Sequence, residues 1–301
     1  MTGTSLTLSC IGAGRAGKTL CQLFTGQQSQ LDISIQQILN SSLASASGAL
    51  EFIGQGQPAE DFQSLKPANI WLIATPDDAI QATSKELALC GVLRKEDIVF
   101  HLSGSLSSNI LDPVIGAHSR ASIHPVHSFA NPGNSLDSFS GSACAVEGGS
   151  QATALLTELF TAIGGKCFTL DADKKALYHA ATVMACNNLI SLLGVSKLML
   201  EASGVGTNCP NDGNPLQSLI ENTVQNYFRD GEVAALTGPI SRGDTKTVEA
   251  HMNALEEHQD WQNIYSSLGE IAVSIAAQQD YASPEQLQTL SRLLARTKPY
   301  K

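Results

Sequence analysis

Through the first half of the chain, short apolar runs alternate with stretches of helical period. Residues 6–11, 33–39, 69–74, 97–102, 121–126, 143–146 and 167–170 each read as a strand. Several are apolar at nearly every position, the pattern of strands buried on both faces. Between them, residues 16–24, a stretch from 77 or 78 to about 90, and 151–163 carry helical periodicity. Asp77 or Asp78 is the expected N-cap of the second of these. Strands separated by helices predict a mostly parallel, doubly wound sheet with helices on both faces. The Ser- and Ala-rich residues 41–48 read as a loop or a weak helix start.

Strand signals stop after Leu170. Helical periodicity fills 174–203, 215–229, 245–258, 260–279 and 284–296, with a loop rich in Gly, Asn and Pro at 204–215. A length of 301 residues fits two domains. The chain therefore reads as α/β, with a Rossmann domain over 1–170 and an all-helical domain over 171–301. The first helix of the second part carries Leu177, Ala180, Ala181, Val183, Met184, Ala185, Leu189, Ile190, Leu192 and Leu193. A helix apolar on nearly every side needs burial on nearly every side. A homodimer through the helical domain is the expected way to supply it.

The loop Gly12-Ala13-Gly14-Arg15-Ala16-Gly17 directly follows the first strand and opens the first helix. That context turns a common glycine pattern into a dinucleotide fingerprint. Gly12 permits the tight turn, Gly14 admits the pyrophosphate to the backbone, and Gly17 lets helix and strand pack. NAD-binding folds of this kind usually place Asp or Glu about 20 residues beyond the loop. Here the second strand ends in Asn40, Ser41 and Ser42, with no carboxylate to repel a 2′-phosphate. Arg15 offers the matching charge, so NADP is favoured and NAD stays possible. Ala74-Thr75-Pro76 and Ser103-Gly104 end later strands and are expected to border the ribose and nicotinamide.

Charge and cysteine content exclude other classes. The balance of 18 Lys+Arg against 28 Asp+Glu gives a net charge of −10 without any long single-sign run. No basic stripe is present, so no nucleic-acid partner is expected. No apolar run reaches the roughly 20 residues of a membrane span, and the start lacks the features of a signal peptide. Seven cysteines, at 10, 21, 90, 144, 167, 186 and 209, have no C-x-x-C spacing and fit neither a disulfide framework nor a zinc site. The chain reads as cytoplasmic, with no metal site.

Three further segments carry a resemblance: 101–105 (His-Leu-Ser-Gly-Ser), 124–129 (His-Pro-Val-His-Ser-Phe), and 178–188 from Tyr178-His179 to Asn187-Asn188. The layout of a Rossmann domain followed by an all-helical domain resembles the 6-phosphogluconate dehydrogenase-like superfamily, and these segments, with 236–244 (Leu-Thr-Gly-Pro-Ile-Ser-Arg-Gly-Asp), carry a closer resemblance. The chain is more closely similar to bacterial Rossmann-like proteins that carry the domain of unknown function 2520. The resemblance implies an NADP oxidoreductase-like protein with an all-helical C-terminal domain, but no substrate. The hydroxyacid dehydrogenase branch carries a Lys one turn before an Asn on the first helix of that domain. Here Val183 and Met184 stand four residues before Asn187 and Asn188, so the branch's lysine is missing.

Hydride transfer needs a group that supplies or orients a proton, and imidazole suits neutral pH. His124, at a strand end, and His179, on the first helix of the second domain, are the candidates. Asn187 is a candidate for orienting a substrate oxygen, on the face it shares with His179 two turns away. Arg242 suits a carboxylate or phosphate, and Ser103 is a second candidate substrate contact. Asp244 is the expected N-cap of the helix that follows. The leading reading is an NADP-dependent oxidoreductase acting on a small, anionic substrate at the domain cleft. The alternative is a non-catalytic dinucleotide-binding sensor or scaffold, and a weaker third is a net non-redox reaction on bound NADP.

Overall fold

The computed structural model describes residues 5–26, 32–111, 119–205 and 214–295. Cys209, most of the loop expected at 204–215 and the last residue of the helix expected to end at 296 lie outside them. The chain divides into two compact units, Met1–Asn188 and Leu189–Lys301. The sheet ends near residue 169, where the sequence changes character, but the first unit also keeps the following helix.

The first unit holds eight strands: β1 (Leu6–Ile11), β2 (Ile33–Leu39), β3 (Gln57–Ala59), β4 (Ile70–Ile73), β5 (Ile98–His101), β6 (Arg120–Pro125), β7 (Ala143–Gly148) and β8 (Lys166–Thr169). They form one sheet in the order β3-β2-β1-β4-β5-β6-β7-β8. All neighbours are parallel except β6 and β7. The helices are α1 (Arg15–Thr25), α2 (Leu43–Ile53), α3 (Ile80–Leu89), α4 (Pro132–Ser138), α5 (Ser150–Ala162) and α6 (Lys175–Val183).

Strand alternation divides the sheet into two faces. Ile98, Phe100, Ala121, Ile123, Cys144 and Val146 join the larger core with Phe24 and Phe160. Their neighbours in sequence, His101, Ser122, His124 and Glu147, point the other way. That second face is apolar around Trp71, Ile73 and Val99. It becomes polar toward β6 and β7, and this polar area is where α6 attaches through Lys175.

Several elements differ from the sequence reading. The 41–48 stretch is part of a full helix, α2, capped by the Ser42 hydroxyl accepting from the Ser45 N–H. Its buried stripe is Ala46, Ala49 and Ile53, too small in side chain to register as an amphipathic pattern. Strand β3 contains Pro58, which an edge position tolerates. Helix α4 also went unread. Neither Asp77 nor Asp78 caps a helix: a 3₁₀ turn, Asp77–Ala79, precedes α3, and Pro76 holds the cap position with no side-chain bond.

A π-helical turn, Met184–Asn188, follows α6. The extra residue per turn rotates everything after it, so His179 and Asn187 are not simply two regular turns apart. The helical run Ala172–Ala202 is also long and apolar enough, by length and composition, to cross a membrane. The polar His179, Asn187, Asn188 and Lys197 scattered along it break up the run in the sequence but not its mean hydropathy. Leu177 is 73% exposed and Ile190 67%. The all-round burial expected of this helix is therefore absent in the isolated chain.

The second unit is helical: α7 (Leu189–Ala202), α8 (Gln217–Ala235), α9 (Thr245–Ala254), α10 (Gln259–Ala276) and α11 (Pro284–Leu294). Val248, Met252, Val273, Leu290 and Leu294 form its core. Asp244 caps α9 as expected, accepting from the Thr247 N–H at 3.1 Å. The Gln279 side chain pins the segment between α8 and α9, donating to the carbonyls of Val233 and Leu236 and accepting from Ser241 Oγ.

Phe160 is fully buried and meets Phe24 edge-on, ring centroids 5.3 Å apart. Phe160→Ala leaves a cavity between α5 and the sheet. Urea unfolding should show a loss of about 3–5 kcal/mol.

Candidate functional site

β1, β4, β5 and β6 are neighbours and parallel, so their carboxyl ends open on one edge of the sheet. Ligands of open α/β sheets bind there. At the end of β1, Gly12 takes φ +88°, and a Cβ on it would lie 2.7 Å from the Thr75 nitrogen. Only glycine fits. Gly17 is buried where a Cβ would press on Ala74 and Gly12, whereas the corresponding side of Gly14 is open. No side chain caps α1 and no acidic residue stands in its first turn, so its N–H groups remain available to an anion.

A cavity of about 690 Å³ lies over this loop. Gly12, Gly14, Arg15, Ala16, Asn40, Ser41, Ser45, Ala74, Thr75, Pro76, Ser128, Phe129 and Ala130 line it. Nine of the sequence candidates thus line one cavity. Ala13 faces inward, its N–H donating to Asn40 Oδ1 at 2.7 Å, and Asn40 Nδ2 donates to Ser45 Oγ at 3.1 Å. Ser42 is spent on capping α2, and Ser45 lines the cavity instead. The 128–130 segment was not foreseen as a wall; Arg15 Nη1 reaches the Ala130 carbonyl at 3.5 Å. The buried Thr75 hydroxyl has no hydrogen-bond partner among the described residues. An unpartnered hydroxyl, an uncapped helix start and an open Gly14 fit a pyrophosphate-containing ligand.

Ser103 and Gly104 lie apart from the residues lining that cavity, in a second cluster. Ser103 Oγ donates to Asp77 Oδ2 at 2.6 Å, and Ser105 Oγ reaches the same oxygen at 3.1 Å. The carboxylate expected to cap a helix thus braces the turn after β5. His101 supports that turn from below. Its Nδ1 accepts from the Ser103 N–H at 3.1 Å, while Nε2 is 3.2 Å from the Ser107 carbonyl. Only the neutral Nε2–H tautomer satisfies both partners. Burial, with Lys175 nearby, pushes this imidazole down to about 4.

Lys175 was missed by the sequence reading. Its ammonium is buried, donating to the Ser103 carbonyl at 2.9 Å and to Ser122 Oγ, 3.6 Å from Glu147. Glu147 also accepts from the N–H and hydroxyl of Ser108. Burial lowers Lys175 to about 8 despite the carboxylate. The signal was present: Lys175, Tyr178 and His179 recur at i, i+3 and i+4 on one helix face.

Through that face α6 builds the wall over Gly104. His124 Nδ1 is 2.9 Å from the Tyr178 hydroxyl. The rings of His124 and His179 meet edge-on at 5.3 Å. A Cβ on Gly104 would lie 2.9 Å from His124 Nε2 and overlap His179 Nδ1, so glycine lets both imidazoles close on the backbone. Burial first, then His179 and Lys175, hold His124 down at about 4. It is neutral at pH 7, with Nε2 free of Tyr178. His127, by contrast, packs with Phe129 and Phe139 and bonds Ser142 Oγ. Asn187 is exposed in the π turn, and Arg242 is exposed in the second unit. The structure brings His124, His179, Ser103 and Gly104 together, and adds Asp77, Lys175 and Tyr178.

Comparison with known proteins agrees with this architecture. Residues 1–125 match the family model of a Rossmann-like domain, and residues 142–272 match the domain of unknown function DUF2520. No curated protein matches the chain. Protein TM1727 of Thermotoga maritima has a similar structure, with TM-score 0.70 at 23% identity over 90% of this chain and 98% of its own. The candidate NADP oxidoreductase BF3122 of Bacteroides fragilis gives 0.70 at 19% identity, over 91% and 98%. A pyrroline-5-carboxylate reductase of Coxiella burnetii gives 0.57 at 14%, over 96% and 99%. These similarities establish a shared fold.

Two outcomes test the cluster. Lys175→Met leaves Glu147 buried without its cation and should cost about 3–5 kcal/mol in urea unfolding. Lys175→Met with Glu147→Gln should cost less than the two single losses added. His124 is lowered on folding, so its neutral form stabilises the fold at neutral pH. That contribution falls as pH drops below about 6.5 and is lost near 4. Between pH 7 and 5, wild type should lose on the order of 1–2 kcal/mol relative to His124→Asn.

Proposed function

For a chain that joins a Rossmann-like domain to a DUF2520 domain, we propose an NADP-dependent oxidoreductase acting on a small carbonyl or imine substrate, or on its reduced counterpart. The observation that carries this reading is the adjacency of two things on one sheet edge. Pro76 lines the glycine-loop cavity, and the next residue, Asp77, braces the turn whose Gly104 underlies His124 and His179.

Asn40, Ser41 and Ser45, uncharged and rich in donors, border the cavity with Arg15. A 2′-phosphate accepts from such groups and pairs with a guanidinium, whereas a carboxylate there would repel it. The bound nicotinamide supplies the hydride. The chain's part is to hold the substrate oxygen or nitrogen near Nε2 of His124. A neutral imidazole that accepts from Tyr178 at Nδ1 presents Nε2–H as a donor. It orients the acceptor and passes on a proton, and His179 is placed to restore that proton.

The anionic character of the substrate rests on Arg242. A sensor that binds the dinucleotide without turnover shares the cavity and is favoured by Val183 and Met184, which stand four residues before Asn187 and Asn188 in place of the related branch's lysine. A homodimer would cover the apolar surface of the second unit, where Leu219 is 63% and Phe228 80% exposed.

Calorimetric titration of the whole chain should give tighter binding of NADPH than of NADH. Arg15→Ala should weaken NADPH by about tenfold and leave NADH within about twofold; tighter NADH binding would remove the NADP assignment. NADPH oxidation should then be screened against α-keto acids, semialdehydes and cyclic imines. With a turned-over substrate, His124→Ala should lower kcat by about 10²–10⁴ with cofactor affinity unchanged. Arg242→Ala should raise KM for an anionic substrate. Binding without turnover of any of these classes supports the sensor.

A further inference from the structure

We propose that Cys144 and Cys167 form a dithiol that hydroperoxides oxidise reversibly to a disulfide. The two residues are direct partners in the parallel pairing of β7 with β8. Neighbouring strands lie about 4.8 Å apart, within the span a disulfide bridges between Cα atoms. Both side chains point to the face covered by α5: Cys144 belongs to the core there, and Cys167 packs against it. Each thiol also donates to a backbone carbonyl, Cys144 Sγ to Ser142 at 3.6 Å and Cys167 Sγ to Thr157 at 3.8 Å. Gly165 keeps space beside them, since a Cβ on it would lie 3.1 Å from Cys144 Sγ.

The pair is asymmetric in the way such chemistry needs. Cys144 is fully buried, whereas Cys167 is half-buried on the edge strand β8. The neighbouring Cys144 and Thr161 lower the Cys167 thiol to about 7, against burial, while Cys144 is raised. Cys167 is thus the nucleophile and Cys144 the resolving thiol. The Cys167 thiolate attacks one peroxide oxygen, giving a sulfenic acid and releasing water or an alcohol. Cys144 Sγ then attacks Cys167 Sγ, forming the S–S bond and expelling water. Two thiols lose two electrons and the peroxide gains them.

The other described cysteines lack this combination. Cys10 and Cys21 are both fully buried. Cys186 is exposed in the π turn, and Cys90 sits at the end of α3. The oxidised strand would also border the candidate site, because Phe168 packs on Tyr178 with centroids 6.1 Å apart.

The test treats the reduced, full-length protein with hydrogen peroxide and follows its intact mass without reductant. Expected are a loss of about 2 Da that dithiothreitol restores, and a tryptic linkage between peptides 121–166 and 167–174. In Cys144→Ser, dimedone should trap a sulfenic acid on Cys167. Absence of the 144–167 linkage in wild type would overturn the proposal. So would a linkage between other cysteines that forms first, or stepwise oxygen addition to Cys167. The wild-type peptide map decides even where the variant fails to fold.

Discussion

The buried ammonium of Lys175 is the contact on which the candidate site depends. It joins α6 to the sheet at two neighbouring strand ends, through the Ser103 carbonyl and Ser122 Oγ, with Glu147 of β7 as its counter-charge. A buried cation is costly unless paired and hydrogen-bonded, so its position is fixed tightly by its three partners. Fixing Lys175 fixes the helix phase. Tyr178 and His179, one turn later, then meet His124 above Gly104. Burial, with this ammonium adding to it and His179 acting as well on His124, keeps His101 and His124 neutral at physiological pH.

This arrangement explains the pattern of polar residues on an otherwise apolar sheet. His101, Ser122, His124 and Glu147 alternate with Phe100, Ala121, Ile123 and Val146, which fill the opposite core. One face is built to exclude water and the other to hold a charge network. The network stands next to a cavity whose floor is an uncapped helix start and whose roof includes Ser128, Phe129 and Ala130. The glycine loop and His124 are thereby positioned by one element, the sheet.

Much of this was legible in the residues. The glycine loop and the buried strands carry strong local signals, because turn chemistry and period-two burial are properties of short segments. His124 and His179 could be singled out by residue type. What stayed hidden depends on contacts between distant segments. Asp77 resembled a helix cap because a carboxylate before a helix usually is one; only the fold shows Ser103 and Ser105 beside it. Lys175 resembled a solvated lysine at a helix start, and its partners lie 28, 53 and 72 residues earlier in the chain. The π turn after Val183 has no sequence rule that would reveal it. Helix α2 was obscured by small side chains.

The central claim is that the glycine-loop cavity and the His124–His179 pair form one site. Histidine imidazole NMR of the whole protein, followed during addition of NADPH, tests it most directly. The His124 and His179 ring signals should shift as NADPH saturates, as expected if the nicotinamide end lies at the turn around Gly104. Saturable NADPH binding that leaves both signals unmoved would contradict it.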